Sequence, residues 1–270
     1  MGAINSLSTA VTTLRENPVI LVGGLFFAIF GELSVFAQFA GPFAGLGLTV
    51  FWILLWPFVL AGFIGLVHAG LDGETSVGRF FSTGRSNYLS MLGATVAFFV
   101  LFGTIVAGAV IFAAIAAVGA GGTGLAIVTG AVIVFLPAAV LYVFLQFYDT
   151  GVVISDTGAI GAFSHSAGLV RRNFLSVIGY SILFWLLSFA PRLPDMALFF
   201  LAVEFPDPEA GQGSAMVVSE PLFVLSVVLG LTLGTLAIAL AWTYHVVYYR
   251  SILPEPAGIE TENGVDSEPF

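Results

Sequence analysis

Long apolar segments constrain the fold of this chain more than any other feature of the sequence. Several of them exceed 18 residues, which is about the length that an α-helix needs to cross the hydrocarbon of a bilayer. Of the 270 residues, 59% are hydrophobic and only 9% are charged. Backbone groups inside lipid must be paired within their own segment, so such runs fold as helices. The sequence therefore predicts an all-α integral membrane protein.

Six apolar runs divide the chain into six predicted transmembrane helices. They are residues 18–40, 43–70, 88–118, 125–148, 174–190 and 222–250. Short segments with an amphipathic pattern precede the first, third and fifth runs, as expected for helices that lie on a membrane surface. We expect residues 1–250 to form a single membrane domain. Residues 251–270 carry three prolines and five carboxylates, which predicts a disordered acidic tail.

A short motif recurs at the entry of every second span. Arg15 and Asn17, Arg85 and Asn87, and Arg171 and Asn173 stand at the same spacing, each pair followed by an apolar run and by Gly six residues after the Asn. Similar segments at a long period indicate a repeated structural unit. The sequence thus predicts three parallel repeats, about residues 1–70, 71–149 and 150–250, each with an interfacial elbow helix and a transmembrane hairpin.

The residue types of the motif fit a membrane surface. An Arg ahead of an apolar run can keep its guanidinium among lipid headgroups. An Asn two residues later is a favoured N-cap, because its side chain accepts from unpaired N–H groups of the first helical turn. We therefore predict that Asn17, Asn87 and Asn173 cap the helices that follow them, with a structural role rather than a direct functional one.

The distribution of arginines predicts the orientation of the chain in the cell membrane. All seven basic residues are Arg, and six of them fall on one side of the six-span layout. Only Arg192 falls on the other side. Because basic residues concentrate on the cytoplasmic side, we expect both the N- and the C-terminus in the cytoplasm.

Polar and irregular residues inside the spans are the candidate functional positions. Glu32 is either a proton or cation site that faces the bundle interior, or a solvated group near the outer interface, which is the simpler interpretation. Pro57 and Pro137 break two helices at comparable depth and could bound a substrate cavity. Gly230 and Gly234 have the spacing of a close helix contact, and they are the candidate packing face for a membrane partner.

Several classes of function lack sequence support. The chain has no cysteine and no His-Glu-x-x-His pair, so neither a thiolate site nor a common zinc motif is present. We predict no metal, no cofactor and no catalytic residues. The net charge of −9 and the lack of a basic patch disfavour nucleic acid as a partner. The expected partners are the lipid bilayer and other membrane proteins.

The motif residues also carry a family resemblance. Arg85, Asn87, Tyr88, Leu89 and Ser90, repeated as Arg171, Asn173, Phe174, Leu175 and Ser176, resemble uncharacterised six-span membrane proteins of halophilic archaea. The lysine-free acidic composition fits such a source. More distantly, the layout resembles the membrane domain attached to some glycerophosphodiester phosphodiesterases. The resemblance implies a six-helix membrane domain without an established activity, and the soluble catalytic domain of those enzymes is absent from the sequence.

Two functional hypotheses remain from the sequence. The first is a non-enzymatic scaffold or accessory subunit that packs against membrane partners or lipids. The alternative is a transporter or permease for small solutes or lipids, with a mid-membrane cavity near Glu32, Pro57 and Pro137. A closed bundle with Glu32 at the outer surface would favour the scaffold, and an interior cavity lined by these residues would favour transport.

Overall fold

The structure is a computed structural model that describes residues 2–39, 42–119, 124–204 and 217–254. Nearly all of these residues are helical. In chain order the helices are α1 (Ala3–Glu16), α2 (Ile20–Phe39), α3 (Pro42–Leu71), α4 (Val77–Gly119), α5 (Gly124–Leu145), α6 (Tyr148–Ile154), α7 (Gly158–Arg172), α8 (Phe174–Phe189), α9 (Leu193–Ala202) and α10 (Glu220–Ile252). A 3-10 turn, Ala190–Arg192, joins α8 to α9. Two short strands, β1 (Val203–Glu204) and β2 (Val217–Val218), pair antiparallel before α10.

Six helical segments of the described residues are long and apolar enough to cross a membrane. They are Ile20–Ala37, Phe43–Leu71, Val77–Ile115, Phe135–Ile154, Phe174–Ala202 and Glu220–Ile252. Large apolar side chains on these segments are exposed, for example Phe43 at 88% and Phe135 at 75%. Such a surface is typical of a chain that is surrounded by lipid. The prediction of six apolar spans in a helical chain is confirmed, while the threefold repeat stays a prediction.

The second predicted elbow is not a separate helix. α4 begins at Val77 and continues through Arg85 and Asn87 to Gly119, a length of about 65 Å at the usual rise per residue. Close contact with α3 holds its first turns in line. A Cβ atom at Gly62 of α3 would lie 2.6 Å from the backbone oxygen of Phe80. One at Gly84 of α4 would lie 2.8 Å from the oxygen of Phe58. This backbone contact favours a continuous helix over a break at the motif.

The three motif asparagines do not cap the helices that follow them, so that prediction is wrong. Each side-chain amide instead donates backwards to the backbone oxygen four residues earlier. The acceptors are Thr13 for Asn17 at 3.0 Å, Thr83 for Asn87 at 3.2 Å and Leu169 for Asn173 at 3.0 Å. This bond competes with N-capping for the same side chain. The shared asparagine therefore stabilises the preceding turn in all three copies.

Asn17 also joins three parts of the chain. Its Nδ2 donates to the backbone oxygen of Gly70 at 3.3 Å, and its Oδ1 accepts from Thr75 Oγ1 at 2.6 Å. The asparagine thereby holds the end of α1 against the end of α3 and the link to α4.

α8 and α9 together run antiparallel to α10. The sequence predicts that span five ends near residue 190 and that a short segment then lies on the far surface. The structure instead keeps α9 against the first half of α10, and the backbone of Ser219 bonds to that of Ala202 at 2.8 Å. Pro191 and Pro194 fit this path because each lies in the first turn of its short helix, where no N–H partner is required.

The burial of α10 changes along its length. In its first half, one position per turn is buried, namely Ser226, Gly230 and Gly234. From Thr243 to Tyr249 every residue is buried, because α1, α7 and α8 enclose this end of the helix with a tyrosine-rich core. α10 ends at Ile252, so the first residues of the predicted tail are helical. Residues 255–270 lie outside the described residues.

Candidate functional site

Glu32 faces the interior of the bundle, between α9 and α10. Its Oε1 lies 3.3 Å from Nη2 of Arg192, and its side chain is 12% exposed. The same Nη2 lies 3.3 Å from Oδ2 of Asp195, whose side chain is 8% exposed. We refer to Glu32, Arg192 and Asp195 as the carboxylate cluster. The interpretation of Glu32 as a solvated group is therefore wrong, while its depth in the membrane stays a prediction.

Two glycines of α10 make room for this cluster. A Cβ atom at Gly230 would lie 2.2 Å from Oε1 of Glu32, well inside the contact distance. A Cβ atom at Gly234 would lie 3.6 Å from that of Ala28 and 3.9 Å from Cζ of Arg192. Both positions are buried against α2 and the cluster within the chain. They do not form the partner-facing surface that the sequence predicts.

The carboxylate cluster is not balanced in charge when its side chains are ionised. It holds two carboxylates against one guanidinium, and Oδ1 of Asp195 is buried without a hydrogen-bond partner among the described residues. A buried charge without a partner costs several kcal/mol. The cluster therefore favours a proton or a cation as an additional component.

Two cavities flank the carboxylate cluster. The first, of about 280 Å³, lies between α2, α3, α8 and α10; half of its lining residues are aromatic, and we refer to it as the aromatic cavity. It is lined by Phe27, Phe30, Gly31, Ser34, Trp52, Trp56, Ser188, Ile238, Ala241 and Trp242. The second, of about 250 Å³, lies between α2, α9 and α10. It is lined by Glu32, Val35, Arg192, Asp195, Met196, Phe199, Phe200, Phe223, Ser226 and Val227.

Arg192 lies close to both cavities. Its guanidinium lines the second cavity, and its Nη1 lies 3.6 Å from the Cβ position of Gly31, which lines the first. Glu32, which follows Gly31 in the chain, lines the second cavity and forms an ion pair with this guanidinium. The ion pair between Arg192 and Glu32 therefore lines the second cavity and adjoins Gly31, which lines the first.

A second polar cluster lies near the other end of α10, and we refer to Tyr180, His245 and Asp149 as the histidine cluster. The Tyr180 hydroxyl bonds to Nδ1 of His245, and Nε2 of His245 lies 3.1 Å from Oδ1 of Asp149. The same Oδ1 accepts from the backbone N–H of Thr150 at 2.7 Å. All three side chains are buried. A neutral ring that donates to Asp149 and accepts from Tyr180 satisfies both ring nitrogens.

The histidine cluster is enclosed by rings on several sides. Phe147 stacks on His245 with ring centroids 5.3 Å apart, and Trp242 lies edge-on at 5.2 Å. None of its three residues lines the cavities described above. The geometry supports packing and fixed hydrogen bonds rather than binding of a ligand.

The motif arginines lie on the surface. Arg15, Arg85 and Arg171 are all exposed. Among the described residues none of them has a carboxylate within ion-pair distance, whereas Arg79 pairs with Glu74 and Arg250 with Asp72. Exposed and unpaired guanidinium groups can contact lipid phosphates, as the prediction of an interfacial role requires.

Comparison with known families places the chain among proteins without an assigned activity. A family model described as Domain of unknown function (DUF7847) matches residues 1–252. The chain belongs to this family. Neither a curated protein nor a solved structure matches it. For this DUF7847 member, function has to be inferred from its own clusters and cavities.

The two prolines of this DUF7847 protein lie apart from the two cavities beside the carboxylate cluster. Pro57 is buried within α3, whereas Pro137 lies on the exposed face of α5. Neither residue lines the two cavities beside the carboxylate cluster. The cavities beside Glu32 thus lie between α2, α3, α8, α9 and α10, and a cavity bounded by both prolines stays a prediction.

Sequence reasoning missed Arg192 and Asp195 as site residues. Arg192 is 160 residues from Glu32, and no local pattern connects residues so far apart. One signal was available, because Glu32 is the only acidic residue in a predicted span and Arg192 is the only arginine on its side of the layout. Charges in apolar surroundings pair with one another, so these two could have been matched.

Proposed function

We propose that this protein is a membrane permease for small organic cations, with the carboxylate cluster and the aromatic cavity as its binding site. The observation that carries the proposal is the charge balance at Glu32, Arg192 and Asp195. Two carboxylates share one guanidinium, and one carboxylate oxygen has no partner among the described residues. A bound cation supplies the missing charge.

The aromatic cavity supports the cationic class of the substrate. Phe30 stacks on Trp52 with ring centroids 3.9 Å apart, and Phe27 lies edge-on to Trp56 at 5.1 Å. Aromatic faces attract ammonium groups, and the attraction is strongest where water is excluded. An apolar wall with a nearby net negative charge suits a cation that carries alkyl or aryl groups, such as a quaternary ammonium ion.

The position of Arg192 supports transport rather than storage of the cation. The ion pair of Arg192 with Glu32 lines the second cavity next to Gly31 of the first, and Arg192 is the more exposed partner at 28%. A movement of its guanidinium away from Glu32 would join the cavities and leave both carboxylates available. We propose that the cation replaces Arg192 at the carboxylates as it passes from one cavity to the other.

The scaffold hypothesis has less support. It relied on Gly230 and Gly234 as a surface for a partner, and both glycines contact side chains of their own chain. The exposed apolar face of α4 and α5 suits lipid as well as protein. We therefore place the permease first, and we propose no enzymatic activity and no cofactor.

The proposed topology is that of three parallel units with both termini in the cytoplasm. The surface arginines at positions 15, 85 and 171 support it. Single-cysteine variants test it cleanly because the chain has no cysteine. We expect Arg85→Cys and Arg171→Cys in oriented vesicles to react with an impermeant maleimide from the same side. Labelling from opposite sides would contradict the layout.

Binding can be measured with a matched pair of ligands. Three of the four tryptophans line the aromatic cavity, so their fluorescence reports on it, and Trp185→Phe removes the remaining signal. We expect benzyltrimethylammonium to quench this fluorescence in detergent micelles much more strongly than neopentylbenzene, its uncharged isostere. Equal quenching by the two ligands would contradict a cation site.

Variants test which carboxylates the binding of the cation requires. We expect Asp195→Asn and Glu32→Gln to weaken benzyltrimethylammonium binding about tenfold or more, since each removes one charge that faces the cation. Asp72→Asn and Glu74→Gln change the same residue types at exposed positions and should bind like wild type. Uptake of radiolabelled benzyltrimethylammonium into proteoliposomes then tests transport, and unchanged uptake by Glu32→Gln would remove Glu32 from the mechanism.

A further inference from the structure

A polar groove runs along one face of α7, away from the carboxylate cluster. Thr157, Ser164, His165, Gly168 and Arg172 line it, and Pro254 closes one side. Its volume is about 510 Å³, the largest of the three cavities described here. The α7 residues follow one another at helical spacing, so they share a single face of the helix.

The groove is open above Gly168. A Cβ atom at this position would meet nothing within 4 Å. His165 lies one turn before Gly168, and Arg172 lies one turn after it. Because helical side chains lean towards the N-terminus, the Arg172 side chain extends back over Gly168 towards His165. The two basic groups thus flank the same empty space.

Both flanking groups lack partners within the described part of the chain. Nε2 of His165 is buried with no hydrogen-bond partner, and no carboxylate of the described residues lies within ion-pair distance of Arg172. Burial lowers the pKa of His165, and the Arg172 guanidinium lowers it further. A buried ring nitrogen next to an unpaired guanidinium is an unmet requirement for a negatively charged acceptor.

We propose that the groove binds a phosphate group above Gly168, between the Arg172 guanidinium and the His165 ring. A guanidinium matches two phosphate oxygens at once, and the imidazole donates to a third. The Ser164 and Thr157 hydroxyls lie further along the groove, where they suit the polar remainder of a phosphate ester. Such a phosphate belongs either to a lipid headgroup or to a soluble phosphate ion, and both have the same chemistry at this site. This site is independent of the proposed cation permease.

The three histidines of the chain, His68, His165 and His245, allow a direct test by NMR of ring-labelled protein. The pKa of His165 is measured in maltoside micelles without phosphate, in the same micelles with inorganic phosphate, and in phosphatidylglycerol nanodiscs without free phosphate. We expect a rise of the pKa in at least one phosphate-containing sample. A rise only in nanodiscs assigns the site to lipid, and a rise with inorganic phosphate assigns it to the free ion.

Two neighbouring arginines provide the matched control. Arg172→Gln should abolish the rise, whereas Arg171→Gln, which removes the same charge one residue away, should retain it. Gly168→Leu should also abolish it, because the leucine fills the space without a clash. The His68 and His245 signals report whether each variant is folded. No rise in either phosphate sample, or the same rise in the Arg171 and Arg172 variants, would overturn the proposal.

Discussion

The carboxylate cluster and the histidine cluster lie against the two halves of the same helix, α10, and they differ in how well their polar atoms are satisfied. The rise from Gly230 to His245 is about 22 Å. At the histidine cluster, both ring nitrogens of His245 have partners and rings cover the remaining surface. At the carboxylate cluster, Oδ1 of Asp195 has no partner within the described residues, and cavities lie on both sides.

The comparison shows that burial of charge alone does not identify a functional site. Both clusters contain buried ionisable groups, yet only one has an unmet charge and space for a ligand. A fully satisfied network stabilises a single arrangement. An incompletely satisfied one next to a cavity is a better candidate for binding, because a ligand can supply what is missing. Variants at either cluster should therefore change stability, whereas only those at the carboxylate cluster should change binding.

The largest expected effect comes from removal of the guanidinium. Arg192→Met leaves Glu32 and Asp195 buried together without a counter-charge, and we expect the free energy of unfolding to fall by about 3 to 5 kcal/mol. The triple variant Glu32→Gln, Arg192→Met, Asp195→Asn removes all three charges and should recover most of this loss. Denaturant unfolding in micelles measures both. A triple variant as unstable as the single one would show that packing, not charge, holds the cluster.

His245→Leu tests the other side of the comparison. It leaves the Asp149 carboxylate and the Tyr180 hydroxyl without their partner, and we expect a loss of about 2 to 3 kcal/mol in the free energy of unfolding. Binding of benzyltrimethylammonium should stay within about twofold of wild type at a temperature where the variant is folded, a difference of only about 0.4 kcal/mol. Loss of binding would mean that the two clusters are coupled.

Gly230→Ala tests how closely α10 packs against the carboxylate cluster. Its new methyl group would collide with Oε1 of Glu32, so we expect a loss of about 1 to 3 kcal/mol. Gly103→Ala is the matched control in α4, where a Cβ atom meets nothing within 4 Å. It should be neutral or stabilising by up to about 1 kcal/mol. Thermal unfolding of both variants side by side checks the difference, and equal effects would contradict a tight contact at Gly230.

Two tyrosines of the core around α10 differ in whether the hydroxyl has a hydrogen-bond partner. Tyr180→Phe removes the bond to His245 and should cost roughly 1 to 2 kcal/mol. Tyr244→Phe removes a buried hydroxyl that has no partner among the described residues, and it should be neutral or slightly stabilising. Both unfolding free energies are measured under the same conditions. Equal changes for the two substitutions would contradict a stabilising hydrogen bond between Tyr180 and His245.

The smallest expected effect is the pH dependence at His165. Its folded-state pKa lies below the unfolded value of about 6.5. The unfolded state therefore binds the proton more readily, and stability falls as the pH drops through this range towards the folded-state pKa. We expect the midpoint of thermal unfolding to decrease less between pH 7.5 and 5 in His165→Gln than in wild type. An identical decrease would contradict a perturbed His165.

The six spans could be predicted because the signal is local. A long apolar run such as Phe43–Leu71 has only one way to satisfy its backbone in lipid, so composition along the chain is sufficient. The exposed position of Arg15, Arg85 and Arg171 followed from the same reasoning. The roles of the asparagines did not, because Asn87 fits both a cap and a helix interior. The close contact of α4 with α3 at Gly62 and Gly84 decides between the two.

The site could be predicted only in part because its charge pairs are distant in sequence. Glu32 was identified as unusual from its position alone, but its partner Arg192 lies in the turn between α8 and α9, and the two prolines there predicted that the chain leaves the bundle at this point. The spacing of Gly230 and Gly234 predicted close packing, and both glycines are closely packed. No sequence pattern says whether the packing neighbour belongs to another chain or, as found, is α2 with Glu32 of the same chain.

Cysteine accessibility along α10 tests the central contrast most directly. Ser226 and Thr243 are both buried, and each hydroxyl bonds to a backbone oxygen of its own helix. Only Ser226 lines a cavity beside the carboxylate cluster. In this cysteine-free chain, we expect Ser226→Cys to react with a small methanethiosulfonate reagent and to be protected by benzyltrimethylammonium, while Thr243→Cys stays unmodified. Equal reactivity at the two positions, or labelling of Thr243→Cys alone, would contradict the account.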